Sequence, residues 1–169
     1  MKDNLKKLLP YVIVVIVVIL IKVYVVTPIR VNGKSMEPTL YEKDIMILNK
    51  TAYYFNEPER FDIVVVNMPD EYLIKRVIGL PGEKVEIKDN KVYINDELLE
   101  EEYLQNELVY DDFTLQEIGY ETIPENMYFV LGDNRENSMD SREIGLVSKE
   151  QIQGKIFMRF WPLNKIKFY

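Results

Sequence analysis

Residues 84–99 read KVEIKDNKVYINDELL. Apolar and polar side chains alternate on both sides of Asp89-Asn90, which predicts two antiparallel strands joined by a tight turn. The pattern repeats outward in both directions. EYLIKRVIGLPGE at 71–83 is a strand stopped by Pro81-Gly82, and NMYFVLGDN at 126–134 is a strand opening into a polar loop. DIMILNK at 44–50 and FDIVVVNMP at 61–69 are short apolar runs ending in turn residues. QGKIFMRFWP at 153–162 is a last strand stopped by Pro162, and PIRVNG at 28–33 alternates as well. Helical periodicity is weak. Two stretches suggest it, Glu100 to Leu108 (EEEYLQNEL) and the neighbourhood of Ser148 to Gln153. The expected fold is mainly β and antiparallel. A weakly patterned acidic segment from about 96 to 126 reads as a small insertion on it.

Before these strands stands LLPYVIVVIVVILIKVYVV, 19 residues from Leu8 to Val26 with Lys22 as the single charge. A helix of that length spans about 28 Å, close to the hydrocarbon core of a bilayer. Lys2, Lys6 and Lys7 precede it, which predicts a short cytoplasmic tail at 1–7 and everything from 27 to 169 on the outer face. A cleaved signal peptide has a similar charged start and apolar core. The exit VVTPIRV, however, offers no small-x-small cleavage site. The expected organisation is one membrane anchor at 8–26 and an outer domain at 27–169. Tyr53, Tyr54, Phe55, Trp161 and Phe168 are candidates for the headgroup level, or for the core.

The chain has 169 residues, 21 Lys and Arg against 28 Asp and Glu, no His and no Cys. Without His there is no Ser-His-Asp triad, no Cys-His dyad and no imidazole metal site. Without Cys there is no thiolate nucleophile, disulfide or zinc ribbon. The acidic balance argues against a nucleic-acid partner. No metal or cofactor is expected. Catalysis, if any, falls to Ser, Thr, Lys, Tyr or carboxylates.

Three stretches carry such residues. In VNGKSMEPTL, Ser35 follows Gly33 and precedes Met36-Glu37-Pro38, a stiff turn that suits either a nucleophile or an ordinary turn serine. In YLIKRVIG, alternation places Leu73, Lys75 and Val77 on one face and Ile74, Arg76 and Ile78 on the other. A half-buried lysine loses solvation, and lowering its pKa from about 10.4 to about 7–8 would suit a general base. Both cations also read as edge-strand charges that discourage aggregation. In GDNRENSMDSREIG, Asp133, Asn134, Ser138, Asp140 and Arg142 share one loop with a second arginine, Arg135. That loop reads as solvated, as a cation site, or as a hydrogen-bonded scaffold for a neighbouring group. A Ser-Lys dyad is the main nucleophilic design left, and Ser35 and Lys75 would meet from separate strands.

In this order, an anchor, GKSMEPTL, FDIVVV, IKRVIGLPGE and GDNRENSMDSR resemble the bacterial type I signal peptidases of the Gram-positive kind. The resemblance implies a membrane-bound serine endopeptidase that removes signal peptides from exported preproteins. Carried over residue by residue, it implies Ser35 as nucleophile and Lys75 as general base. It implies Ser138 as the group that orients the lysine, Asp140 and Arg142 as a charge pair shaping the site, and Asp133 and Asn134 as supports. Val31, Met36, Leu73 and Ile74 are implied to line pockets for small side chains. Gly33 stands where some relatives carry a second serine that helps bind the oxyanion. Phe61 stands where a glycine is common. The implied partners are signal peptides, the lipid bilayer and the neighbourhood of the export translocon. Three rivals remain: a self-cleaving repressor with the same dyad, a catalytically dead tethered paralogue, and a peptidase of narrow purpose.

Overall fold

The structure is a computed structural model that describes residues 2–104 and 111–169. Helix α1 runs Lys2–Tyr24. Strands follow at β1 (Val26–Arg30), β2 (Ile45–Asn49), β3 (Ile63–Asn67), β4 (Tyr72–Gly79), β5 (Val85–Lys88), β6 (Lys91–Ile94), β7 (Glu97–Leu98), β8 (Phe113–Thr114) and β9 (Met127–Leu131). The short helix α2 (Ser141–Ile144) then leads to β10 (Val147–Ser148), β11 (Ile152–Trp161) and β12 (Lys167–Phe168).

The hairpin at 84–99 forms as its pattern predicts. Val85 pairs with Ile94 and Lys88 with Lys91. Asp89 and Asn90 both take positive φ, 50° and 62°. These short polar residues tolerate that conformation better than most and match the twist of the flanking strands. The hairpin is half of a four-stranded sheet in the order β7-β6-β5-β8. The segment 96–126 supplies the other two strands.

The larger sheet has the path β1-β2-β11-β3-β4-β9-β10, with β12 added on β11. All its neighbours are antiparallel. Ile63, Val64, Val65 and Val66 are buried on both faces of β3. Their unbroken apolar run is what a strand covered on both sides requires. One face carries Val31, Met36, Leu48, Ile63 and Val65 in a cluster. The other carries Val64, Val66, Leu73, Val77 and Val130. A third core around Ile78, Val85, Ile87, Phe113 and Phe129 glues the small sheet to the large one. β11 shifts register at three places against its neighbours, so it bends and serves both β2 and β3.

Three expectations need correction. Residues 100–104 form a turn and no helix, while the rest of the Glu100–Leu108 stretch lies outside the described residues. Only Lys149–Gln151 within 148–153 is helical, as a single 3₁₀ turn. The reading of Lys75 and Arg76 as solvated edge charges also fails, because the two residues are only 2% and 6% exposed. Of the aromatic candidates for the headgroup level, Tyr53 is half-buried and its hydroxyl donates to Asp62 at 2.7 Å, whereas Tyr54, Phe55, Trp161 and Phe168 are exposed.

The helix α1 begins earlier than the apolar run and ends at Tyr24, since Val26 already pairs with Asn49. Among the described residues no helix is long and apolar enough to cross a membrane. The side chains of residues 2–7, 9, 21 and 23 lie outside the described ones.

Candidate active site

Lys75 sits in β4, paired with Val64 of β3 and one residue short of where the pairing with β9 begins. Its backbone position is set by the ladder, and its side chain ends at Ser35, with Nζ 2.9 Å from Oγ. Burial pushes the Lys75 ammonium down to about 8. The negative charges of Asp140, Glu71 and Asp133 resist that shift, and Arg142 assists it. Desolvation of a cation outweighs these more distant charges because it acts on the ammonium directly.

Ser35 lies in the turn that links β1 to β2. Glu37 N donates to Lys34 O at 3.0 Å and Leu40 N to Met36 O at 2.8 Å, which tightens the turn. Gly33 opens it with φ +82°, a left-handed conformation that glycine adopts without strain. Met36 and Leu40 plug the turn into the core with 1% and 0% exposure.

The loop after β9 braces this turn. Asn134 N donates to Ser35 O at 2.9 Å, and Asn134 Nδ2 to Lys34 O at 3.2 Å. Asp133 is fully buried and accepts from Arg76 Nε at 2.9 Å and from its second guanidinium nitrogen at 2.6 Å. Asp140 accepts from Arg142 Nε at 2.8 Å and from Gly132 N at 3.1 Å, and it caps α2. Ser138 comes to the same place. Its Oγ is buried and has no hydrogen-bond partner among the described residues, and none is formed with Lys75.

Five supporting residues escape sequence reasoning. Gly132 is required by close approach: a Cβ there would lie 2.1 Å from Ser138 Oγ and 2.5 Å from Ser35 O. Arg76 was legible as a cation in a strand, but not as the partner of Asp133. Thr39 Oγ1 accepts a further bond from Arg76 at 3.3 Å. Glu101 and Tyr103 contact Arg135 and Arg76 from the segment between the sheets. Only the glycine before Asp133-Asn134 carries a local signal.

Beside the dyad lies a cleft of about 570 Å³. Val31, Met36, Leu73 and Ile74 line it, together with Ile29, Leu48 and Val65. Gly33 is outside this lining. Arg30, Lys50 and Glu71 stand among the cleft's charged residues. The edge of β4 from Tyr72 to Lys75 is not paired with β9, whose register begins at Arg76. β1 is at the end of the sheet path, paired on one side only. Two strand edges therefore face one apolar cleft that ends at Ser35.

Comparison with known proteins gives one answer. Residues 5–161 match the family described as signal peptidase, peptidase S26. Signal peptidase I S of Bacillus subtilis is 41% identical over 162 residues, covering 92% of this chain and 88% of that protein. Signal peptidase IB of Staphylococcus aureus is 34% identical over 181 residues, covering 99% and 94%. The crystal structure of a signal peptidase I from Enterococcus faecalis aligns with a TM-score of 0.55 at 43% identity, covering 60% of this chain and 97% of that one.

Proposed function

Since the chain belongs to the signal peptidase family, peptidase S26, and is a serine peptidase acting on the signal peptides of preproteins, we propose that it does so with a Ser35–Lys75 dyad. The observation that carries this reading is the 2.9 Å contact between Lys75 Nζ and Ser35 Oγ at the end of an apolar cleft.

The signal peptide's C-terminal stretch adds as an extended strand between the free edges of β1 and β4. Its small side chains at −1 and −3 enter the pockets formed by Val31, Met36, Leu73 and Ile74. Neutral Lys75 takes the proton from Ser35 Oγ as that oxygen attacks the scissile carbonyl carbon. The tetrahedral oxyanion is met by backbone N–H at Ser35, with Gly33 leaving the approach open. Lys75 returns the proton to the leaving amine as the C–N bond breaks. It then takes a proton from water as that oxygen attacks the acyl ester, and gives it to Ser35 Oγ as the ester C–O bond breaks and the peptide carboxylate leaves. Ser138 orients the lysine. A buried hydroxyl without a partner costs about 1–3 kcal/mol, which favours a functional reason for keeping it. Asp140 with Arg142, and Asp133 with Asn134, hold the loop that fixes both.

The same reading makes α1 a single-pass anchor, with its N-terminus inside and the catalytic domain on the outer face, near the export translocon. The described side chains at Leu8 and from Tyr11 to Leu20 are large, apolar and exposed along the helix. A helix apolar on all sides needs a hydrocarbon partner.

The test is cleavage of a preprotein by the full-length enzyme in detergent, with the new N-terminus sequenced. The reading expects one cut after a small −1 residue, blocked by a large residue at −1 or −3. Cleavage indifferent to both positions would reject the pocket assignment.

A further inference from the structure

A turn that belongs to neither sheet reaches the catalytic loop with two side chains. Glu101 binds Arg135 through both carboxylate oxygens, at 2.5 Å and 3.1 Å. The Arg135 side chain is completely buried and Glu101 nearly so, with 0% and 8% exposure. Arg135 Nε in turn donates to Gly132 O at 3.0 Å. Gly132 is the residue pressed against Ser138 Oγ and Ser35 O. Two residues on, the Tyr103 ring lies under the Arg76 guanidinium, 3.9 Å from its centroid, and Tyr103's hydroxyl donates to Glu101. Arg76 carries Asp133 on its far side. Asp133 stands between Gly132 and Asn134, the residue whose N–H holds the Ser35 carbonyl.

We propose that Glu101 and Tyr103 are positioning residues for this peptidase, fixing the loop 132–135 through Arg135 and Arg76 and thereby the place of Ser35 and Ser138. The inference rests on the dyad reading above. Neither residue lines the cleft, so neither touches substrate. Their effect falls on the alignment of the reacting groups. A displacement of about 1 Å at a reacting group costs on the order of 10²-fold in rate. Binding of the signal peptide is left to residues that Glu101 and Tyr103 do not contact.

The experiment uses the full-length enzyme in detergent and a signal-peptide substrate. Glu101→Gln removes the charge that faces buried Arg135 and keeps the shape. The expected result is a tenfold or greater fall in kcat with KM within twofold of wild type, and partial recovery in Glu101→Asp. Tyr103→Leu, which removes the ring under Arg76, gives the same split if Glu101→Gln does not fold. Glu83→Gln is the control. It breaks the Arg60–Glu83 pair of 2.5 Å near the same junction, so it lowers the melting temperature but keeps kcat per folded molecule. Normal kcat in both Glu101→Gln and Tyr103→Leu would overturn the inference while leaving the dyad standing. So would losses that match the Glu83→Gln loss once corrected for folded fraction. A wild type that cuts no signal peptide would sink the dyad reading and this inference together.

Discussion

Lys75 Nζ meets Ser35 Oγ at 2.9 Å although 40 residues separate them in the chain. The meeting is made by two unlike devices. Lys75 is fixed by an interior strand, whereas Ser35 rides a turn whose carbonyl is tied to Asn134. Rigid strand on one side and braced turn on the other is what a preorganised pair needs.

The rate should follow the deprotonation of Lys75. Its burial places that event at about 8, and the neutral amine is the active form. A plot of log kcat/KM should therefore climb with pH and level off above about 8. Asp140 is the strongest negative charge raising this pKa, so Asp140→Asn should move the midpoint down. A profile flat from pH 6 to pH 10 would remove Lys75 as the base.

The same burial should make Lys75 a burden on the fold. Its pKa falls from 10.5 in the unfolded chain to about 8 in the folded one. Between these values the unfolded chain binds the extra proton, so stability rises with pH across that window. Below it the full cost applies, roughly 3 kcal/mol. Lys75→Met should thus be inactive yet more stable at pH 7, by up to about 3 kcal/mol in urea unfolding. A variant less stable than wild type would contradict the desolvated lysine.

Gly132 should tolerate no side chain. A Cβ there overlaps Ser138 Oγ and Ser35 O at 2.1 and 2.5 Å, and both belong to the site. Gly132→Ala is expected to lose on the order of 10²-fold in kcat through displacement of the reacting groups. Near-normal kcat in a folded Gly132→Ala would show that the loop can give way.

The strand pattern explains which parts of this fold are readable. The hairpin at 85–94 was plain, because alternation and a two-residue polar turn are local signals. The burial of Lys75 and Arg76 was not, since it depends on distant parts of the chain: β9 beside Arg76 and the turn of Ser35 against Lys75. Glu100, Glu101 and Glu102 look like helix formers. The pairing of Glu101 with a buried arginine 34 residues away makes a turn instead. Phe61 gives a subtler case: it keeps φ +72°, and its ring packs edge-on to Tyr103 at 5.6 Å. Long-range hydrogen bonds, ion pairs and ring contacts leave no trace in spacing, so Thr39, Glu101 and Tyr103 were invisible as supports.

Membrane attachment should depend on the middle of α1. Val15 and Val18 are exposed on it. A charged residue at the centre of a spanning helix costs about 3 kcal/mol. The Val15→Asp, Val18→Asp double variant should therefore leave lipid vesicles in flotation while the wild type stays bound. Equal flotation of the two would refute the anchor.

The most direct measurement is cleavage of a signal-peptide substrate by the full-length enzyme beside Ser35→Ala and Lys75→Ala. The dyad account expects wild type to cut after the small −1 residue and both variants to fall to background with their fold intact. Activity surviving in Ser35→Ala would contradict the assignment of the nucleophile, and activity surviving in Lys75→Ala that of the base.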